Sequence, residues 1–186
     1  HCSWVHSHDR AAATTKAEDL IRMAVARVSR LEPLATSQVP VLPSALVLGG
    51  GAAGMTAALS LARGGYDVDL VERQPQLGGH LRHVHGGLGG QDPQASLHSL
   101  LAEIDLQPRV HVHLEHELVS CAGFVGNFTS TVRGPDGRLA EIRHGVTIVA
   151  TGGREYRGDE YLCGSHPAVL TGAEFETLLA HTSSAA

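Results

Sequence analysis

The most regular pattern of hydrophobic and polar positions in this chain runs from Ala45 to Glu72. The apolar run at 45–48 has the length of a buried strand, a glycine-rich turn at 49–54 follows it, and an alanine- and leucine-rich stretch extends to Arg63. A second strand-like run at 67–72 ends on an acid. A strand, a Gly-x-Gly-x-x-Gly turn, a helix and a strand in this order predict a dinucleotide-binding βαβ unit.

Each glycine of the turn has a predicted task. Gly49 permits a tight turn, Gly51 lacks the side chain that would keep a pyrophosphate from the backbone, and Gly54 lets helix and strand pack closely. We expect the phosphates at the helix N-terminus, where free N–H groups and the helix dipole favour an anion. Glu72 lies 18 residues after Gly54, near the spacing of a carboxylate that accepts hydrogen bonds from ribose hydroxyls and repels a 2′-phosphate.

The pattern downstream of this unit predicts a second glycine turn, a helix and a strand. Gly78-Gly79 comes soon after the acid and indicates another close approach of backbone to a ligand, with Arg82 placed to neutralise a phosphate. A glycine-rich surface turn is the alternative for the same residues. Asp92-Pro93 is typical of a helix start, and that helix leads to a strand at Val110–Leu114.

The last third of the chain predicts a small sheet and a return to the parallel one. Three closely joined runs at 117–121, 124–133 and 139–144 predict an antiparallel meander. Val146–Ala150 is apolar enough to be buried on both faces of the parallel sheet. We expect Thr151 and Gly152 to face the same crevice as the glycine turn, because ligands bind outside the carboxyl ends of parallel strands. A last helix is predicted at 173–180.

Residues 1–43 predict a different kind of structure. Thr15 and Glu18 have the spacing of a capping box, and apolar residues then recur at three- and four-residue steps, which indicates a helix. Prolines break this pattern, so residues 32–44 are interpreted as a linker. The chain does not begin with Met, and we expect residues 1–43 to be the end of an upstream domain with a helix and linker. Residues 44–186 are then an incomplete dinucleotide-binding domain.

Composition and charge argue against several classes of function. No apolar run has the length of a membrane span and no signal peptide is recognisable, while a net charge of −5 without basic clusters argues against a nucleic-acid partner. Three widely spaced cysteines fit a reducing cytoplasm better than a disulfide framework. His111 and His113 would share one strand face, where exposed histidines are a better interpretation than a metal site with only two ligands.

Several stretches together resemble a known family. The glycine turn with Glu72, the second glycine pair, the meander and the strand ending in Ala-Thr-Gly look like the FAD-binding domain of two-dinucleotide-domain flavoproteins. Within that class, the A-type subunit of heterodisulfide reductase is the family that four stretches closely resemble: His1–His6, Leu77–His83, Gly123–Phe128 and Ala150–Tyr156. The resemblance implies a Rossmann-like α/β fold with a parallel sheet and a three-stranded meander.

The resemblance also implies a set of cofactor-binding residues and assigns no catalytic residue. By this resemblance FAD is held by Gly49, Gly51, Ala52, Ala53, Gly54, Glu72, Arg73, Gly78, Gly79, Leu81, Arg82, Val119, Ala150, Thr151 and Gly152. Val119 would meet the adenine through its backbone, and Thr151 and Gly152 would close the cofactor channel. Cys2 would complete a [4Fe-4S] site whose other cysteines lie upstream, so clusters are expected in the full-length protein and not in this chain.

Three functions follow from these patterns. The first is the FAD-binding portion of a cytoplasmic electron-transfer oxidoreductase that acts on sulfur groups and passes electrons between flavin and iron-sulfur partners, with this chain alone inactive. Its partners would be heterodisulfide reductase-like subunits and an electron-donor protein in a hetero-oligomer. The second is an NAD-dependent dehydrogenase domain, to which the second glycine pair and the meander are foreign. The third is a cofactor-free scaffolding protein.

Overall fold

The computed structural model describes residues 2–34, 36, 38–87, 90, 92–158 and 160–183, so His1 of the His1–His6 stretch lies outside the described residues. The chain divides into two compact units, His1–Gln38 and Val39–Ala186. The boundary between them precedes the predicted one at residue 43.

The described residues of the first unit form two helices, α1 at Cys2–Val5 and α2 at Arg10–Val28. Asp9 is the N-cap of α2, and its Oδ1 accepts a hydrogen bond from the backbone N–H of Ala12 at 3.0 Å. The predicted capping box at Thr15 is therefore wrong, because the Thr15 hydroxyl lies inside the helix and donates to the carbonyl of Ala11 at 3.1 Å. None of the residues of α2 is buried.

The second unit contains the strands and the remaining helices. The strands are β1 Ser44–Leu48, β2 Asp67–Glu72, β3 Val110–Leu114, β4 Glu117–Phe124, β5 Asn127–Arg133, β6 Leu139–His144 and β7 Val146–Val149. The helices are α3 Ala52–Arg63, α4 Pro93–Leu106 and α5 Gly172–Ser183, with 3₁₀ helices at Gly79–His83 and Glu160–Leu162. None of the helices in the described part of the chain is long and apolar enough to cross a membrane.

A parallel sheet in the order β3-β2-β1-β7 forms the centre of this unit. Helix α3 connects β1 to β2, which confirms the predicted βαβ unit. Its buried face places Met55 and Ala58 against Val47 and Leu70, and all four side chains are fully buried. Asp92 caps α4 as predicted, with its Oδ1 accepting from the N–H groups of Gln94 and Ala95 at 2.9 and 3.1 Å.

Strand β7 differs from the prediction. The run was expected to be buried on both faces, but Val146 is 46% and Val149 71% exposed. The reason is topological, because β7 is an edge strand that has β1 as its neighbour among the described residues. An apolar run predicts a strand that is buried on both faces, but it does not show which helices or strands pack against it.

The predicted meander is confirmed as an antiparallel sheet in the order β4-β5-β6. Its first strand is longer than expected: Gly123 and Phe124 still belong to β4, and the turn lies at Val125-Gly126, where Gly126 has a φ of 92°. The meander is tied to β7 through His144, which is fully buried. The His144 Nδ1–H donates to the Val146 carbonyl at 3.0 Å, and the Ser130 hydroxyl donates to Nε2 at 2.8 Å.

Candidate functional site

In the glycine turn at the end of β1, backbone conformation and packing require glycine at two positions. Gly49 has a φ of 105°, a conformation that residues with a Cβ rarely adopt. A Cβ at Gly54 would overlap the carbonyl oxygen of Gly49, so helix α3 can pack this close to the turn only without a side chain there. Both roles agree with the tasks that the sequence predicts.

Gly51 is different, because nothing in the described protein requires it to be glycine. Its φ of −75° and ψ of −177° are extended backbone that any residue adopts. A Cβ built on it meets no atom of the described residues within 4 Å, its chain neighbours apart. Gly51 is the N-cap of α3, so this open space lies at the helix N-terminus, where first-turn N–H groups lack helical partners.

The second glycine pair packs directly on the first turn. The Gly78 N–H donates to the Gly50 carbonyl at 2.7 Å, and Gly51 and Gly78 form an isolated parallel bridge. A Cβ on Gly79 would lie 3.2 Å from the Cα of Gly51. Both members of the pair have positive φ, 116° at Gly78 and 50° at Gly79. The pair therefore forms a wall beside Gly51, which a plain surface turn would not do.

The carboxylate of Glu72 is held in place by two backbone N–H groups. Oε2 accepts from Gly50 at 2.6 Å and Oε1 accepts from Gln74 at 2.8 Å. Glu72 is 8% exposed. Each oxygen keeps a further lone pair, so this fixed anion can still accept hydrogen bonds from hydroxyl groups of a ligand.

Two cavities meet at this carboxylate. The larger, of about 730 Å³, is in the volume range of small-molecule sites and is bordered by the α3 N-terminus, the 79–84 segment and residues 150–153. The smaller, of about 250 Å³, is bordered by the ends of β1 and β2 and by residues 116–118. Gly49, Glu72, Arg73 and Thr151 line both, so the two cavities form one site with two lobes.

Most of the predicted cofactor residues come together here. Those lining one or both lobes are Gly49, Gly51, Ala52, Ala53, Glu72, Arg73, Gly79, Leu81, Arg82, Ala150, Thr151 and Gly152. The Nε of Arg82 donates to the Leu77 carbonyl, which fixes the guanidinium beside the larger lobe.

Three predicted residues lie outside the lining. Gly54 packs beneath the turn and Gly78 behind Gly79, so both shape the site indirectly. Val119 is 46% exposed and occupies a β-bulge in β4, next to the lining residues Glu117 and Leu118. Sequence reasoning missed His116 and Leu118 in the smaller lobe.

Two further carboxylates, which line neither lobe, accept hydrogen bonds from backbone N–H groups. Glu155 accepts a hydrogen bond from the Ala173 N–H at 2.8 Å, and this bond is the main cause that lowers the pKa of the Glu155 carboxyl. The Thr171 N–H, 2.9 Å from Oε2 of Glu174, lowers the pKa of that carboxyl in the same way. A separate cavity of about 630 Å³ adjoins this region, and its described lining contains none of the predicted site residues.

The residues discussed as metal ligands do not form a metal site. Cys2 is half-buried in α1, and no group of three or more His, Cys, Asp or Glu residues in the described part of the chain is arranged to hold a metal ion. His111 is exposed, whereas His113 is half-buried and its Nε2 lies 2.7 Å from Oδ1 of Asp69.

Fold and site together define a class of protein. A family model described as NAD(P)-binding Rossmann-like domain matches residues 47–103. The fold also resembles the crystal structure of L-proline dehydrogenase from P. horikoshii, with a TM-score of 0.54, 24% identity, and coverage of 66% of this chain and 25% of that one. The second unit therefore has a Rossmann-like α/β fold with a parallel sheet and a meander, which confirms the predicted fold class.

The closer relationship comes from sequence. An A-type iron-sulfur subunit of CoB–CoM heterodisulfide reductase from Methanopyrus kandleri is 43% identical over 130 residues, 69% of this chain and 20% of the relative. A protein of Archaeoglobus profundus, named as similar to the same type of heterodisulfide reductase subunit, is 40% identical over 133 residues, 71% of this chain and 19% of the relative. The chain is thus a relative of the A-type subunit of heterodisulfide reductase, as the motifs predict, and spans about one fifth of the length of these proteins.

Proposed function

We propose that this chain binds FAD in the two-lobed site, as the dinucleotide-binding part of a cytoplasmic electron-transfer oxidoreductase. The observation that carries the proposal is the open space at Gly51. Protein packing and backbone conformation account for Gly49 and Gly54, but neither accounts for Gly51. A pyrophosphate lying against the backbone would account for it, because any Cβ would then displace the phosphate.

The N-terminus of α3 supplies what such a phosphate needs. The N–H groups of its first turn, which includes the lining residues Ala52 and Ala53, point out of the helix and carry the positive end of its dipole. Arg82, which lines the same lobe, adds a full positive charge. An anion at this position is thus met by hydrogen-bond donors and by positive charge.

Glu72 sets the direction of the dinucleotide. A carboxylate at the end of the second strand of such a unit accepts hydrogen bonds from the adenosine ribose. With the pyrophosphate at Gly51 and this ribose at Glu72, the adenine extends into the smaller lobe, past Leu48 and Val71. The other half of the cofactor extends along the larger lobe, between residues 79–84 and 150–153. The fixed negative charge of Glu72 disfavours a 2′-phosphate, and hence NADP.

A second candidate is an NAD-dependent dehydrogenase domain, which the description of the matched family model favours. The site favours FAD over NAD because the Gly78-Gly79 pair is built into the first glycine turn and prolongs the larger lobe. Bound FAD would supply a centre that exchanges one or two electrons. The residues of this chain would hold its phosphates and ribose and border its flavin half.

The wider role rests on the relatives. These include the A-type subunit of ferredoxin:CoB-CoM heterodisulfide reductase from Methanosarcina acetivorans, which is 38% identical over 138 residues. Because that relative is one subunit of a complex, the proposal includes a hetero-oligomer with related subunits and an electron donor. Action on sulfur groups and iron-sulfur partners belong to it as well. The described residues offer no cluster site of their own, and Cys2 is proposed only as one ligand of a cluster completed elsewhere.

Absorbance spectroscopy tests the proposed cofactor. The purified chain is incubated with FAD or with NAD⁺ and then separated from free ligand by gel filtration. We expect a flavin spectrum at one FAD per chain and no retained NAD⁺. Retention of NAD⁺ without FAD would support the dehydrogenase alternative, and retention of neither would favour the scaffolding alternative.

A further inference from the structure

The connection between β3 and β4 forms a strained turn over the end of β2. Glu115 has a φ of 56°, a left-handed conformation that residues other than glycine rarely adopt. Its N–H donates to the Gln74 carbonyl at 3.2 Å, and the N–H of His116 donates to the Glu72 carbonyl at 3.0 Å. Two hydrogen bonds thus fix this turn to the segment that carries the ribose-binding carboxylate.

The turn also fixes the imidazole of His116. Its Nδ1–H donates to the Leu114 carbonyl at 2.6 Å, and its ring lies edge-on to that of His113, with 5.6 Å between centroids. His113 is in turn held by Asp69. The ring is therefore oriented from two sides while it lines the smaller lobe.

We propose that His116 is the aromatic wall of the adenine lobe, where its ring packs against the base. This inference rests on the proposed function, since it takes the adenosine half of FAD to extend from Glu72 into the smaller lobe. Leu48, Val71 and Leu118 supply aliphatic wall there, beside the charged side chains of Glu72, Arg73 and Glu117. A planar base between aliphatic side chains and an oriented imidazole gains both burial and stacking.

Two substitutions separate the ring from its hydrogen bond. His116→Asn keeps a side-chain N–H that can reach the Leu114 carbonyl but removes the aromatic face. His116→Phe keeps an aromatic ring and removes the hydrogen bond. The matched control is His111→Asn, because His111 is an exposed histidine on β3 that lines neither lobe.

Dissociation constants for FAD and for FMN, which lacks adenosine, are measured for each variant by quenching of flavin fluorescence. We expect His116→Asn to weaken FAD binding about tenfold, from the stacking lost per base, and to leave FMN binding unchanged. His116→Phe, which keeps an aromatic face, should lose less FAD affinity than His116→Asn, and His111→Asn should stay within about twofold of the parent for both ligands.

The inference is overturned if His116→Asn binds FAD as the parent does, because the ring would then contribute nothing to binding. It is also overturned if the affinities for FAD and FMN fall equally, because the residue would then act only on the fold. A parent chain that binds no FAD would overturn the proposed function, and this inference with it. The two failures are thus distinguishable from the behaviour of the parent alone.

Discussion

Replacing Gly51 with Val should weaken cofactor binding strongly while leaving the fold intact. No protein atom apart from its chain neighbours lies within 4 Å of the Cβ position, and the backbone there is extended, so the side chain fits without strain. Losing glycine at the N-cap costs up to about 1 kcal/mol, and lower entropy of the unfolded chain offsets about 0.4–1 kcal/mol. For 186 residues, Tm should change by at most about 4 °C.

The effect on binding should be much larger. A Val side chain would occupy the position of the pyrophosphate and break at least one charged hydrogen bond to the α3 N-terminus, worth about 1.5–3 kcal/mol. FAD affinity should then fall by about ten- to a hundredfold or more. Gly51→Ala, which adds a single methyl group, should give a smaller loss.

Flavin fluorescence titration measures affinity, and thermal unfolding followed by circular dichroism measures stability. Gly54→Ala is the matched control: its Cβ would overlap the Gly49 carbonyl, so it should lose about 1–3 kcal/mol of stability. The reasoning is refuted if Gly51→Val folds and binds FAD as the parent does. It is equally refuted if Gly51→Val unfolds the chain, because the fold itself, and not the bound cofactor, would then require glycine at this position.

Three further predictions concern other residues. Glu72→Gln, which keeps one acceptor oxygen, should weaken FAD binding about tenfold in a titration, because a hydrogen bond to a charged group becomes a neutral one. An unchanged affinity would mean that Glu72 only holds the backbone of Gly50 in place. Burial lowers the pKa of His144, although the hydrogen bond to the Val146 carbonyl partly offsets this. The stability that the neutral, buried imidazole contributes is therefore present above the unfolded pKa of about 6.5 and is lost as the pH falls below that value. Urea midpoints of the parent and His144→Leu between pH 7.5 and 5.5 should therefore show the larger fall in the parent, and parallel curves would contradict this. In the full-length protein Cys2→Ala should lose iron by chemical analysis, and a full complement of iron and sulfide would return Cys2 to a packing role.

The nucleotide-binding half of the site could be predicted because its signals are local. A short apolar run, glycines at fixed offsets and an acid at the end of the next strand each restrict the backbone within a few residues. The Asp92 cap is local in the same sense, since an N-cap side chain bonds to N–H groups two and three residues away.

Of the features that the sequence did not reveal, one is local and the others depend on distant contacts. The local one is the start of α2: the Thr15 capping box has a valid spacing, but Asp9 offers an acceptor earlier, and the helix begins there. The exposure of Val149 depends on strand order. His116 enters the site at a turn where Glu115 adopts a left-handed conformation, held by hydrogen bonds to residues far earlier in the chain, and no pattern in the sequence indicates it.

A crystal structure of the chain in complex with FAD tests the central claim most directly. We expect the pyrophosphate within hydrogen-bond distance of the backbone N–H groups at Gly51–Ala53, the adenosine ribose on the Glu72 carboxylate, and the adenine in the smaller lobe. FAD bound away from the glycine turn, or bound with its adenine in the larger lobe, would contradict the account.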